Sequence, residues 1–411
     1  MRYTSDMTDA PTSLPWITRL MTIDTTSRDA NLPLIEDVAS ALREMGLEPH
    51  VRPSAEQEGK ANLLVTVPDA DGGTTGGVVL SGHTDVVPVD GQDWSSEPFA
   101  PEIRDERLYG RGSCDMKGFI GAALTALPEF LAADLDEPLH LALSYDEEVG
   151  CDGGRQIVKD IADLGLAPRV CIVGEPTSMR MVSAHKSMTV VEATFTGVAA
   201  HSSLTPQGVN AIEYAARFVT YARHLAEAWR DTGPYDEAYV VPHTTMSVNE
   251  ISGGIAQNTV PDRCVVTLEF RTIAGNDPAE IIAGLTDCVR ELDLRMSEEH
   301  AEAGAELRVL SSIPGLDTAT DATGSQFVAE VLDATEGLAT DTSSDEASQN
   351  QAPLKVTYGT EAGLFSDAGI DTIVLGPGDI AQAHAANEYV DLDQIRACER
   401  FFSALAAHMT R

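Results

Sequence analysis

His83 and Asp85 stand two residues apart at the end of an apolar run, Val78-Val79-Leu80-Ser81-Gly82. On an extended backbone both side chains leave the same face, so the carboxylate can accept the proton on whichever imidazole nitrogen does not face a metal ion. Alone, the pair suits a structural histidine beside a turn better than a metal ligand. Asp115, Glu148, Glu175 and His384 change the balance, because each also lies at or just beyond an apolar run or in the loop after it. Carboxylates mixed with imidazoles suit Zn²⁺ or another divalent first-row ion such as Co²⁺ or Mn²⁺. Gathered at one end of a sheet, such carboxylates would repel one another, and a dication removes that penalty. Glu147 beside Glu148 adds a division of labour: adjacent side chains diverge, so one carboxylate ligates and the other takes a proton. In a metal hydrolase that second carboxylate accepts a proton from activated water and passes it to the leaving nitrogen.

These residues need elements to carry them. Apolar residues at helical spacing over 15–21 and 34–45, the latter followed by Gly46, predict two helices. Residues 62–67 read as a strand, 72–77 as the turn into the strand before His83, and 117–130 as a helix starting after Asp115. Strands over 139–144 and 170–173 end at Asp146-Glu147-Glu148 and at Gly174-Glu175. This alternation predicts an α/β domain with a mixed, largely parallel sheet flanked by helices, which keeps its ligand sites at the carboxyl ends of the strands. From Ser187 the order becomes strand 189–196, helix 209–227, strands 245–251 and 263–271, helix 278–292 and strand 306–311. That βαββαβ order is a ferredoxin-like α+β unit. A helix over 324–335 and a strand over 370–375, which leads to His384, resume the first pattern. The predicted organisation is one domain in two segments, 1–184 and 317–411, with a second domain inserted over 185–316.

The chain has 411 residues, with 65 acidic side chains against 27 basic ones and a formal charge of −38. That excess argues against nucleic acid and anionic membrane as partners, because a phosphate surface must be met with clustered Lys and Arg. Lysine occurs only at 60, 117, 159, 186 and 355. Carboxylates spread so evenly predict a surface adapted to high salt, where screening relieves self-repulsion. The run 341–346 reads as an exposed loop. With no basic-then-apolar leader and no span of bilayer length, the expected location is cytoplasmic. The six cysteines are scattered without a C-x-x-C pair, which predicts buried thiols rather than a zinc knuckle or a disulfide framework.

Several motifs resemble the di-zinc M20 family of aminoacylase and carboxypeptidase-type hydrolases: Ser81-Gly82-His83-Thr84-Asp85 with the run to Trp94, Gly110-Arg111-Gly112-Ser113-Cys114-Asp115-Met116-Lys117-Gly118, Asp146-Glu147-Glu148-Val149-Gly150, Gly174-Glu175-Pro176-Thr177, Ala200-His201-Ser202-Ser203, Tyr358-Gly359-Thr360-Glu361-Ala362 and Gly376-Pro377-Gly378 with His384. The resemblance implies that Asp115 bridges two zinc ions, with His83 and Glu175 on one and Glu148 and His384 on the other. It makes Glu147 the general acid/base, with Asp85 behind His83, and implies a cis peptide bond from Asp115 to Met116. It further implies that the inserted domain is a lid and dimerisation domain, giving a homodimer in which His201 reaches the active site of the partner or of a closed state and donates to the developing oxyanion. Asn258, Arg271, Gly359, Thr360 and Glu361 are then substrate contacts, Arg271 through its bidentate fork and Glu361 by reading an ammonium group.

Within the family the runs from Val86 to Trp94 and from Gly359 to Ala362 are similar to the acetylornithine deacetylases. That branch implies removal of the acetyl group from N2-acetyl-L-ornithine, giving acetate and L-ornithine for arginine synthesis. The alternatives are a succinyl-diaminopimelate desuccinylase, for which a Thr-Ser-Asp sequence would be expected at 360–362, a general N-acyl-amino-acid deacylase or dipeptidase, and a catalytically silent binding protein on the same fold. Intact Glu147 and an intact ligand set speak against the last. Plainer roles remain for single residues: a turn or helix cap for His201, a surface ion pair for Arg271, and a helix-terminus carboxylate for Glu361.

Overall fold

The computed structural model describes residues 10–337 and 353–410. The expected loop over 341–346 lies outside the described residues. Internal contacts divide the chain into two units, Met1–Ala184 with Thr318–Leu354 and Thr360–Arg411, and His185–Asp317 with Lys355–Gly359.

The first unit is built on a sheet whose hydrogen-bonded order is His50–Pro53, Ala61–Val67, Leu139–Ser144, Val78–His83, Val170–Val173, Asp371–Val374 and Val182–His185. The four strands Leu139–Ser144, Val78–His83, Val170–Val173 and Asp371–Val374 run parallel, and antiparallel strands flank them on both sides. The parallel strands are apolar along almost their whole length because both sheet faces are covered. Val78 and Leu80, Leu141 and Leu143, and Ile172 join one apolar cluster with Phe119 and Phe402 from the helices Lys117–Ala132 and Leu392–His408. Alternate residues such as Ser81, Ala142 and Cys171 are buried on the opposite face. Every parallel strand delivers its carboxyl end to one edge, which carries His83, the turn 145–150, Glu175 and the loop to His384.

Three helices described in this unit are unassigned by the sequence analysis, Asp152–Asp163, Ala362–Asp367 and Leu392–His408. In the first, Gly153 and Gly154 weaken helix propensity in the opening turn. A Cβ on Gly153 would lie 2.4 Å from the backbone N and O of Tyr145, so close approach to the turn after the strand demands glycine there. The Asp115–Met116 bond is cis, as is Gly233–Pro234. All six cysteines are free, and no helix among the described residues is long and apolar enough to cross a membrane.

The second unit runs strand Met188–Thr196, helix Ala211–Thr232, strands Thr245–Gly253 and Arg263–Arg271, helix Pro278–Glu299 and strand Gly304–Ile313. Its antiparallel sheet has the order Thr245–Gly253, Arg263–Arg271, Met188–Thr196, Gly304–Ile313, the split βαβ arrangement expected from the sequence. Val191, Ala193 and Phe195 with Val266, Leu268 and Phe270 bury one face against Phe218 and Leu285 of the two helices. Asn210 accepts the N–H groups of Ile212 and Glu213, and Asp277 that of Ala279, so each helix starts at a side-chain cap.

Candidate metal centre

Strand Val78–His83 ends by turning the His83 imidazole under the sheet edge, where it is 1% exposed. Its Nδ1 lies 3.0 Å from the backbone carbonyl oxygen of Asp85 and 3.6 Å from that residue's Oδ1. The carbonyl therefore takes the imidazole proton, correcting the expectation that the carboxylate would. Asp85 instead spends its carboxylate on the next loop, accepting from Glu147 N at 3.1 Å, Glu148 N at 3.3 Å and Ser27 Oγ at 2.8 Å. With Nδ1 committed as donor, Nε2 presents a lone pair in the neutral tautomer. It faces Asp115 Oδ1 at 2.9 Å and Glu175 Oε1 at 3.6 Å.

Asp115 sits just before the helix Lys117–Ala132 and faces two imidazoles, one through each oxygen. Its Oδ2 is 3.3 Å from His384 Nε2, which also lies 3.0 Å from Glu148 Oε2. The result is two groups that share Asp115: His83, Asp115 and Glu175, and Asp115, Glu148 and His384, the donor atoms of each within 4.8 Å of one another. Glu147, next to Glu148, points elsewhere; its Oε1 is 3.6 Å from the Cys151 thiol.

The electrostatics of the cluster call for added positive charge. Burial, then the Asp115 charge, pushes Glu148 and Glu175 above the usual carboxylate range. Burial raises Glu147 well above it, with Glu148 and Asp115 adding to the effect. Burial also pushes Asp115 up, yet hydrogen bonds from His384 and His83 hold it below its ordinary value. Asp115 and Glu148 push His384 up to about 10. The metal-free cluster thus retains protons between groups that all carry lone pairs, and a cation takes the place of such protons. The donor set of two imidazoles and three carboxylates, one of them shared, fits two divalent ions of the zinc, cobalt or manganese type.

The remaining expected site residues fall in two places. In the second unit, Ser203 N donates to His201 Nδ1 at 3.2 Å, capping the short 3₁₀ helix Ser202–Gln207 and leaving Nε2 as the protonated, exposed nitrogen. Asn258 lies beside it: Ser202 N donates to the Asn258 carbonyl at 3.0 Å, and His201 bridges to Thr259. Arg271 is already paired, with Nε at 2.7 Å and Nη2 at 3.3 Å from the two oxygens of Glu269. Its third nitrogen, Nη1, donates to the Thr357 carbonyl at 3.3 Å. Gly359 belongs to this unit, close to the Lys186 carbonyl.

In the first unit, Thr360 Oγ1 accepts from Ala362 N, starting the helix Ala362–Asp367. Glu361 is 0% exposed, and its two oxygens accept from Ser81 Oγ at 2.6 Å and Ser144 Oγ at 2.7 Å. A carboxylate sealed between two strands does not read a substrate ammonium, and that expectation is corrected. Glu361 instead ties the strand ending in His83 to the strand leading to Glu147. Sequence reasoning also overlooked Lys60, whose buried ammonium holds Asp146 Oδ1 at 2.6 Å and the Ser27 carbonyl at 2.7 Å. The signal was there: an isolated lysine in an acidic chain, directly before a strand.

A sequence profile described as Peptidase family M20/M25/M40 matches residues 79–408. The acetylornithine deacetylase of Myxococcus xanthus is 36% identical over 394 residues, covering 95% of this chain and 96% of that protein. That of Proteus mirabilis (strain HI4320) is 32% identical over 369 residues, covering 90% and 88%. Among solved structures, an M20 family metallo-carboxypeptidase from Sulfolobus solfataricus superposes with a TM-score of 0.72 at 18% identity, covering 97% of this chain and 99% of that one.

Proposed function

Because this chain belongs to peptidase family M20/M25/M40 and is a hydrolytic enzyme of that family, we propose that Asp115 bridges two divalent ions in a centre that hydrolyses the amide of an N-acyl amino acid. The observation that carries the proposal is one buried carboxylate common to both donor groups, each oxygen facing a different imidazole. His83 and Glu175 would hold one ion, and Glu148 and His384 the other. Two ions so held would supply Lewis acidity toward the acyl oxygen and a more acidic water.

The residues of the chain do the rest. Glu147, freed from ligation by its divergence from Glu148, accepts a proton from the attacking water and delivers it to the amide nitrogen as the C–N bond breaks. Asp85 holds the Glu147 and Glu148 backbone so that the two carboxylates keep separate duties. His201 is assigned the oxyanion donor, through the Nε2 that its Ser203 contact leaves protonated, acting on domain closure or from the partner of a homodimer.

For the substrate we assign N2-acetyl-L-ornithine, releasing acetate and L-ornithine in a cytoplasmic step toward arginine. Similarity to two acetylornithine deacetylases over at least 88% of their lengths supports this choice. A side-by-side turnover assay on N2-acetylornithine, succinyl-diaminopimelate and acetylmethionine tests it. A higher kcat/KM on either of the other two would overturn the assignment while leaving the hydrolase reading intact.

A further inference from the structure

The two donor groups are secured in different ways. His83 lies on a buried strand, and Asp115 and Glu175 beside it are buried too. His384 sits in a loop at φ 60, with its side chain 54% exposed, so packing does not hold its imidazole in place. What anchors its backbone is a relay of hydrogen bonds from the Asp115 loop. Glu388, buried, accepts through Oε1 from Cys114 N at 2.9 Å and Asp115 N at 3.1 Å, and through Oε2 from Arg111 Nη1 at 2.6 Å. Arg111, 1% exposed, extends Nη2 to Gln92 Oε1 at 2.8 Å. The Trp94 indole donates to the same oxygen at 3.0 Å. Two donors on one atom identify it as the amide oxygen, so Gln92 Nε2 must face the other way, where it donates to the His384 carbonyl at 2.9 Å.

We propose that Arg111 is a positioning residue that, through Gln92 and Glu388, sets His384 against Asp115 and Glu148 and so governs retention of the ion on that side. The inference rests on the two-ion reading above. Its physical core is the guanidinium fork, which bridges two acceptors at fixed separation. A lysine can neutralise Glu388 but cannot reach Gln92 as well. Glu388 also holds the backbone of Asp115, which serves both ions, whereas Gln92 touches only the His384 side, so loss of the Gln92 arm acts on one ion.

The test starts from protein loaded with Co²⁺ and back-titrates it with a chelator, reading visible absorption and counting bound cobalt, with thermal unfolding in parallel. Wild-type protein is expected to release two equivalents. In Arg111→Lys and in Gln92→Leu, one equivalent should leave as in wild type, and the other should bind about 10- to 100-fold more weakly, as disturbed outer partners of a ligand typically cause. Arg111→Lys keeps the buried ion pair, and Gln92 is only partly buried, so neither variant puts folding at stake. Unchanged release of both equivalents overturns the inference. So does equal weakening of both together with a lower unfolding temperature, or an effect of Arg111→Lys that Gln92→Leu does not share. A wild-type protein that holds fewer than two equivalents overturns the two-ion reading itself.

Discussion

The carboxylate of Asp85 accepts the backbone N–H of Glu147 at 3.1 Å, across 62 residues of chain. The contact joins the strand that supplies one imidazole to the turn that carries Glu147 and Glu148. Asp146, with φ 54, begins that turn and is held from its other side by Lys60. Adjacent glutamates emerge from so constrained a turn in opposite directions, one toward Asp115 and His384 and the other toward Cys151.

Glu147→Gln is expected to keep both metal equivalents and lose about 10²- to 10⁴-fold in kcat, because an amide packs in the same space but cannot accept the proton of water. Metal counting alongside steady-state kinetics checks it. More than a tenth of wild-type kcat at full metal content rules Glu147 out as the base.

Lys60→Met leaves the buried Asp146 carboxylate without its ammonium partner, and loss of one member of a buried pair typically costs about 3–5 kcal/mol. Urea unfolding of the metal-free proteins measures the loss. A variant within 1 kcal/mol, on the order of a surface change, would mean that Ser27 and Asp85 hold the turn without it.

His201→Ala should leave metal content unchanged and lower kcat by a factor equivalent to about 2.7–4 kcal/mol, the range for loss of one oxyanion donor. Mixing the His201→Ala and Glu147→Gln chains distinguishes the two routes. One lesion on each subunit regains an intact site only if His201 acts across the interface, whereas both lesions on one subunit leave an intact site only if it acts within its own chain. Full activity of His201→Ala would reduce the residue to the cap of its 3₁₀ helix.

His185, at the end of the strand Val182–His185, is 1% exposed, and burial pulls its pKa down from 6.5 to about 4. The sign follows from proton counting: between these values the unfolded chain binds a proton that the folded chain refuses, so stability falls as pH drops from 6.5 toward 4 and does not change through this group above 6.5. The loss approaches about 3 kcal/mol at 1.36 kcal/mol per pKa unit. Unfolding of wild type and His185→Gln, both metal-free, at pH 7.5 and pH 4 isolates it. Equal losses in the two proteins would remove His185 from the acid response.

With a formal charge of −38, the compact chain is expected to gain stability from screening, and its melting temperature should rise between low and molar NaCl. Differential scanning at fixed metal concentration reads this directly. A flat or falling curve contradicts a surface adapted to salt.

The sequence alone determined the chemistry available and its approximate place. The five donors are named by residue type, and apolar runs before His83, Glu147 and Glu175 mark the strand ends that carry them, because strand burial and turn chemistry are local properties written in periodicity. The βαββαβ insertion is legible for the same reason. Tertiary structure alone decided how side chains were paired. That Asp85 serves Glu147 rather than the His83 proton, that Ser81 and Ser144 seal Glu361, and that Arg111 meets Glu388 are contacts across 62, 280, 217 and 277 residues. Arg271 makes the same point at short range, since whether a fork two residues from a glutamate stays open depends on which acceptors the surroundings offer. Local propensity assigns a residue to a strand end or a loop. Which of several nearby acceptors a donor meets there is set by how parallel strands and their helices pack, a property of the whole sheet that no stretch of sequence carries by itself.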